Sequence, residues 1–308
     1  MTSNSPTVSV VIPALHAAGT LPKALESVSR QTYPNIVEVI VAAGDAETAT
    51  VAAGSAIVVR NPSHKTPTAL NLAIAESEGE VIVRCDAQSR LPAGYVAKAV
   101  ATLIRTEADV VGGMQVPIGI TAWEQAIAAA MSSRLGAGDA RYRTGGEEGP
   151  VETVYLGVFR RDSLDRIGGF DENFVRNQDY ELNHRVIEGG GTVWFDPELI
   201  VEYRPRSSLA ALARQYAEYG TSKRRFSRKH PGSLRWRQLL PTALVLAMAA
   251  SAIVSLWWPL AILIPLLYGI AMVGAGFATG VSPWRVAMAL VTMHLSWGTG
   301  FLIGTDNR

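Results

Sequence analysis

The chain has 308 residues, a formal net charge of +1 and a single cysteine, Cys85. That length suits one large α/β domain with an accessory segment. Balanced charge gives no global footprint for nucleic acid, and one thiol excludes an intrachain disulfide framework and fits a reducing compartment.

The opening MTSNSPTVSVVIPALHAAG has no basic leader and only a short apolar run, so it reads as a buried first strand rather than a signal peptide. Residues 7–12 (TVSVVI) form a β-branched run ended by Pro13, as in a buried parallel strand. Residues 21–31 carry Leu21, Leu25 and Val28 at helical spacing. A second strand (37–42, VEVIVA) leads into GDAETAT, expected to be a loop. A third strand follows at 56–60, a helix at 68–76 and a fourth strand at 81–85. This alternation predicts a doubly wound, mainly parallel sheet, with ligands off the carboxyl ends of the strands. The residues expected there are Pro13 and Ala14, then Ala43 to Asp45, then Asp86 to Gln88. Asp86 is suited to a ribose hydroxyl or to a divalent ion bridging a diphosphate, although a surface turn also begins in this way.

Residues 110–116 predict another strand, broken by Gly112 and Gly113. The stretch from Ser132 to Arg143 is rich in Gly, Arg and Tyr, a composition shared by functional loops and flexible connections. In the strand expected at 154–160 (VYLGVFR), Gly157 permits a ligand to approach closely.

The chain is organised around GGFDENFVRNQDYELNHR, residues 168–185. A Gly-Gly turn and an acidic loop lead to Gln178 and Asp179 at the start of a helix, with Leu182, Val186 and Ile187 at helical spacing and glycines at 189–191 to stop it. A helix N-terminus favours ionisation of Asp179. An ionised carboxylate at a cleft can act as a general base, whereas the plainer role is a helix cap. A short strand is expected at 192–195. Residues 207–228 then predict an amphipathic helix with Leu209, Leu212, Tyr216 and Tyr219 on one face and Arg214, Lys223, Arg224 and Arg225 adding positive charge. Such a helix beside a span lies in the membrane interface, its cations anchoring to anionic lipid or gripping a pyrophosphate.

Residues 239–284 contain no charged side chain, enough for two spans with a turn at Trp257-Trp258-Pro259. The uncharged run 286–305, with His294 inside it, predicts a third span. Basic residues crowd the approach to the first span (223–237), and Arg285 separates the second from the third, so residues 1–238 are expected in the cytoplasm. The expected divisions are a head (1–206), an interfacial linker (207–238) and a membrane part (239–308).

In series, the motifs VSVVIPALHAAGTLPKALESVSRQTYP, LNLAIAESEGEVIVRCDAQSRLP, SSRLGAGDARYR, VETVYLGVFRRDSLDRIGGFDE, RNQDYELNHRV and ARQYAEYG resemble the inverting family 2 glycosyltransferases of GT-A fold. The nearest type is the membrane-anchored, succinoglycan-type sugar transferase acting on lipid-linked acceptors. The resemblance implies a nucleotide-diphosphate sugar bound along Pro13, Ala14, Asp45, Asp86, Gln88 and Gln178, and a polyprenyl-linked acceptor. Asp179 matches the catalytic base. Asp86 with Gln88 takes the place of the Asp-x-Asp motif for Mg2+ or Mn2+. Gln215, Arg224 and Arg225 fall near an interfacial motif that closes over the diphosphate, while Arg143 and Gly157 fall in the acceptor region. The sequence departs from the family at Ala42 or Ala43, where a base-reading Asp often stands, and at Gln88, a neutral ligand in place of an acid. Those departures also suit a membrane protein that binds a nucleotide sugar without turnover. A nicotinamide-dependent enzyme is disfavoured because no G-x-G-x-x-G follows the first strand. A transporter is disfavoured because the three spans hold one histidine, His294, better read as a satisfied interhelical residue, and offer little for a pathway.

Overall fold

The computed structural model describes residues 5–305. Its first half alternates strands and helices: β1 (Val8–Ala14), α1 (Leu21–Ser29), β2 (Ile36–Ala43), α2 (Ala46–Ala52), β3 (Ile57–Arg60), α3 (Thr66–Ala75), β4 (Val81–Arg84), α4 (Tyr95–Thr106) and β5 (Val110–Pro117). Strand β1 is apolar almost throughout because both its faces are covered. Val8, Val10 and Ile12 join the core beneath α1 and α4, while Val11 joins the core on the opposite face.

The helices α5 (Ala122–Ser132), α6 (Arg134–Ala137) and α7 (Arg141–Thr144) come next, so the segment expected to be irregular is largely helical. Then come β6 (Gly149–Pro150), β7 (Tyr155–Arg160), α8 (Arg161–Ile167), α9 (Gln178–Glu188) and an eleven-residue β8 (Val193–Tyr203). The sheet order is β3-β2-β1-β4-β7-β5-β8-β6. Strands β3, β2, β1 and β4 are parallel, as expected, but β7 runs antiparallel between β4 and β5. The sheet is therefore mixed rather than uniformly parallel.

The expected loop GDAETAT is helix α2. Asp45 caps it by accepting from the Thr48 amide at 2.9 Å. Only Thr48 and Ala52 of α2 are buried, so the apolar stripe that marks longer helices is missing.

The last elements are α10 (Leu209–Lys229), α11 (Leu240–Val254), α12 (Leu263–Phe277) and α13 (Pro283–Ile303). Short 3₁₀ turns precede α11 and α12 and lengthen them, giving three apolar helices at Trp236–Val254, Pro259–Phe277 and Pro283–Ile303, each long enough to cross a membrane. Their outer faces stay apolar and open at Leu246, Leu267 and Phe277, and Trp257 and Trp258 are exposed at the turn. A water-soluble bundle would have to solvate those faces, whereas lipid covers them without cost.

Contacts divide the chain into two compact units. One holds the residues up to Val116 together with Ala140–Glu202; the other holds Pro117–Asp139 and everything from Tyr203 onward. Within the second unit, Ala126, Ile127, Ala130 and Met131 of α5 share a core with Val286, Leu290 and Met293 of α13. Helix α10 meets α13 at Gly220 and Gly300, where an added Cβ would strike the opposing backbone.

Candidate active site

Two periodicities build the site. Along β4, Val81, Val83 and Cys85 face one core while Ile82 faces the other, so Arg84 emerges on the Ile82 side. Helix α9 packs on that same side through Leu182 and Val186. Asp179 precedes them by three and seven residues and continues their stripe to the helix N-terminus. The two patterns meet in an ion pair between Arg84 Nη1 and Asp179 Oδ1.

The same guanidinium donates from Nε to Asp86 Oδ1 at 2.9 Å. One cation thus serves two carboxylates, and its side chain is only 5% exposed, against 19% for Asp86 and 27% for Asp179. Burial opposes the charge on Arg84, yet Asp179 and Asp86 together push its pKa above the ordinary value. For Asp179 burial dominates and raises the carboxyl pKa; Arg84 opposes the rise and Asp86 adds to it. The helix N-terminus was expected to favour the ionised form, and loss of water outweighs it.

Tyr155, at the start of β7, belongs to the same cluster. Burial, and then the Asp86 carboxylate, push its phenol up, and its hydroxyl lies 3.4 Å from Ser89 Oγ. The next residue, Leu156, is fully buried with φ 47°, and the β5–β7 register shifts opposite this point. The Tyr95 hydroxyl donates to the Leu156 carbonyl at 3.3 Å and helps hold this left-handed turn in place.

The loop before α9 is braced from both sides. Gly168 and Gly169 adopt φ of 78° and 71°, which a side chain would resist. Asn71 of α3 donates to the Phe170 carbonyl and accepts from the Phe170 amide, both at 2.8 Å. Glu181, fully buried, takes Arg185 Nε at 2.9 Å and Nη2 at 2.7 Å, and Arg185 also donates to the carbonyls of Ile167 and Gly169 at 2.7 Å.

The other residues singled out in the sequence fall as follows. Pro13 and Ala14 end β1 and pair with Ala42 and Ala43 of β2. Asp45, besides capping α2, accepts from the His16 amide at 2.7 Å, and these hydrogen bonds, led by the Thr48 amide, hold its carboxyl at about 2. Gln88 is exposed beyond β4, and Gln178 is the first residue of α9. Arg143 lies on α7 with its guanidinium 5.4 Å from the Tyr142 ring centre. Gly157 was expected to admit a ligand. It is buried in β7, and the Phe159 ring fills the place its Cβ would take.

Gln215, Arg224 and Arg225 belong to the unit that carries the apolar helices. Gln215 is buried and donates to the hydroxyls of Tyr219 at 3.0 Å and Tyr203 at 3.3 Å. Arg224 donates to the carbonyls of Leu302 at 2.7 Å and Gly304 at 3.3 Å, which closes the end of α13. Arg84 and Tyr155 are the site residues that motif reading passes over. The signal for Arg84 is a lone cation in the apolar strand VIVRC, which demands a buried partner.

A mixed sheet with acidic groups at the strand ends and a helix presenting a carboxylate to them defines a GT-A-like fold. Residues 9–168 match Glycosyl transferase family 2, and the chain belongs to that family. Among curated proteins it is similar to the succinoglycan biosynthesis protein ExoA of Rhizobium meliloti (strain 1021), with 28% identity over 95% of this chain and 93% of the relative. A shorter match, 31% identical over 22% of this chain and 21% of the relative, is to the Methanococcus voltae dolichyl N-acetyl-alpha-D-glucosaminyl phosphate 3-beta-D-2,3-diacetamido-2,3-dideoxy-beta-D-glucuronosyltransferase. The fold resembles that of the mannosyltransferase PcManGT from Pyrobaculum calidifontis, solved with GDP-Man and Mn2+. The TM-score is 0.68 at 19% identity, over 97% of this chain and 88% of that one.

Proposed function

We propose that this protein is an inverting sugar transferase of the inner membrane. It moves a glycosyl group from a nucleotide-diphosphate sugar to a hydroxyl of a polyprenyl-diphosphate-linked saccharide, in cell-envelope or exopolysaccharide synthesis. The observation that carries the reading is the Asp86–Arg84–Asp179 cluster at the carboxyl end of β4. The succinoglycan relative supports a role in polysaccharide synthesis, the dolichyl-dependent relative a lipid-borne acceptor, and the mannosyltransferase complex a nucleotide-sugar donor with a divalent ion.

The acceptor oxygen attacks the anomeric carbon while the bond to the diphosphate breaks on the opposite face, and the configuration inverts. Asp179 takes the hydroxyl proton as the new bond forms. Burial makes it a stronger base than an ordinary aspartate, and Arg84 keeps it ionised. Pro13, Ala14, Asp45 and Gln178 are assigned to the donor side.

The donor set fits a hard cation. Arg84 engages Oδ1 of Asp86, and Oδ2 and the exposed Gln88 carboxamide offer oxygen ligands for Mg2+ or Mn2+. When bound, such an ion neutralises charge on the departing diphosphate. Residues 1–206 are assigned to the cytoplasmic head and 207–238 to the interface, where Arg225 is assigned to lipid headgroups while Gln215 and Arg224 hold α10 to its neighbours. Residues 239–308 are assigned to the membrane, and α5 shares its core with α13.

The test is a screen of nucleotide sugars with the protein in bilayers containing polyprenyl-diphosphate saccharides. The expected result is acceptor-dependent release of nucleoside diphosphate and a product of inverted anomeric configuration by NMR. A retained configuration would sink the mechanism. Binding of donor without release would instead favour the non-catalytic reading, to which neutral Gln88 lends itself.

A further inference from the structure

Resting on that transfer reading, we propose that Arg84 is a positioning residue whose one guanidinium sets the acceptor-side base Asp179 and the donor-side Asp86 at a fixed separation. Arg84 is the last residue of β4 and pairs with Val11 of β1, while Val83 just before it pairs with Val158 of β7, so the strand is held on both sides up to the residue that precedes Arg84. The side chain is nearly enclosed, and the planar guanidinium presents Nε to one acid and Nη1 to the other. Among the described contacts, no other donor reaches a carboxylate oxygen of Asp86 or Asp179. The two acids stand on different supports, a loop after a strand and the first turn of a helix. Arg84 is therefore the link through which the donor pocket and the base share one geometry.

A purely structural ion pair looks different in the same unit, where Arg185 satisfies buried Glu181 and two backbone carbonyls at once. Among the described residues the Arg84 side chain reaches no backbone carbonyl, and its hydrogen bonds go to the two site carboxylates. A lysine at position 84 would keep the charge but could not span both acids in a fixed plane.

The test compares the parent with R84K and R84Q in bilayers, measuring kcat and donor KM for acceptor-dependent release together with the thermal midpoint. The expected result is a kcat loss of about 100-fold or more in R84Q, the scale of an ångström's misplacement at a reacting centre, with donor KM changing several-fold less. R84K should recover the thermal midpoint but not kcat, and it decides the matter if R84Q fails to fold. Parental kcat in R84K, or losses that follow only the fraction folded, would overturn the role of Arg84 while leaving the transfer reading intact. A parent that releases no nucleoside diphosphate with any donor would overturn both.

Discussion

Helix α9 carries two acids two residues apart that meet opposite fates. Glu181 is fully enclosed and answered by a whole guanidinium, which also ties down the Ile167 and Gly169 carbonyls. Asp179 shares its guanidinium with Asp86 and keeps one oxygen uncommitted among the described contacts. A buried charge pair that is fully satisfied locks a loop in place. A pair left one partner short holds a carboxylate in a high-energy form that a substrate proton can relieve. The first arrangement holds the loop, and under the proposed mechanism the second is poised to react.

The largest effect that separates the two acids is catalytic. Asp179→Asn should lower transfer by about 10²–10⁴-fold, the usual contribution of a general base, while the thermal midpoint stays level or rises because a poorly solvated charge is removed. Equal turnover in variant and parent would end the assignment. Glu181→Ala should do the reverse. Leaving the half-buried Arg185 without its acid costs about 3 kcal/mol, a fall in thermal midpoint on the order of 10 °C, while molecules still folded at low temperature keep most of their turnover. A catalytic collapse at unchanged midpoint would erase the contrast.

The smallest effect is in the pH profile. The Asp179 carboxyl is raised in the folded protein, so kcat/KM should fall on acidification through a value above the ordinary 3.8. The sign for stability follows from the same shift. A raised carboxyl favours folding below its unfolded value, and that advantage is lost as pH rises through the folded value. Acidification toward that value should therefore stabilise the parent relative to Asp179→Asn, as thermal midpoints across pH can check.

Much of this was legible in the sequence because periodicity carries it. The apolar runs of β1, β2 and β4, the stripe Leu182 and Val186, and the three long apolar helices all announce themselves. Strand direction does not: VYLGVFR has the same pattern whichever way β7 runs, so its antiparallel placement comes only from tertiary pairing. Helix α2 is hidden because it buries too little to leave a stripe, although Asp45 three residues before Thr48 is a usable cap signal. Helix α4 is written in Val96, Val100 and Leu103, which a search for chemical motifs steps over. The charge state of Asp179 was beyond reach because local sequence shows the helix terminus but not how much water the folded chain removes.

The threading of the chain between its two units constrains how the protein can be cut. Residues 117–139 interrupt the first unit in sequence, yet their apolar partners lie on α13. A fragment ending after β8 would retain every acid named above and still lay bare Ala126, Ile127, Ala130 and Met131. Such a fragment should stick to detergent, to lipid or to itself, and removing the anchor to obtain a soluble enzyme would require redesigning that helix as well.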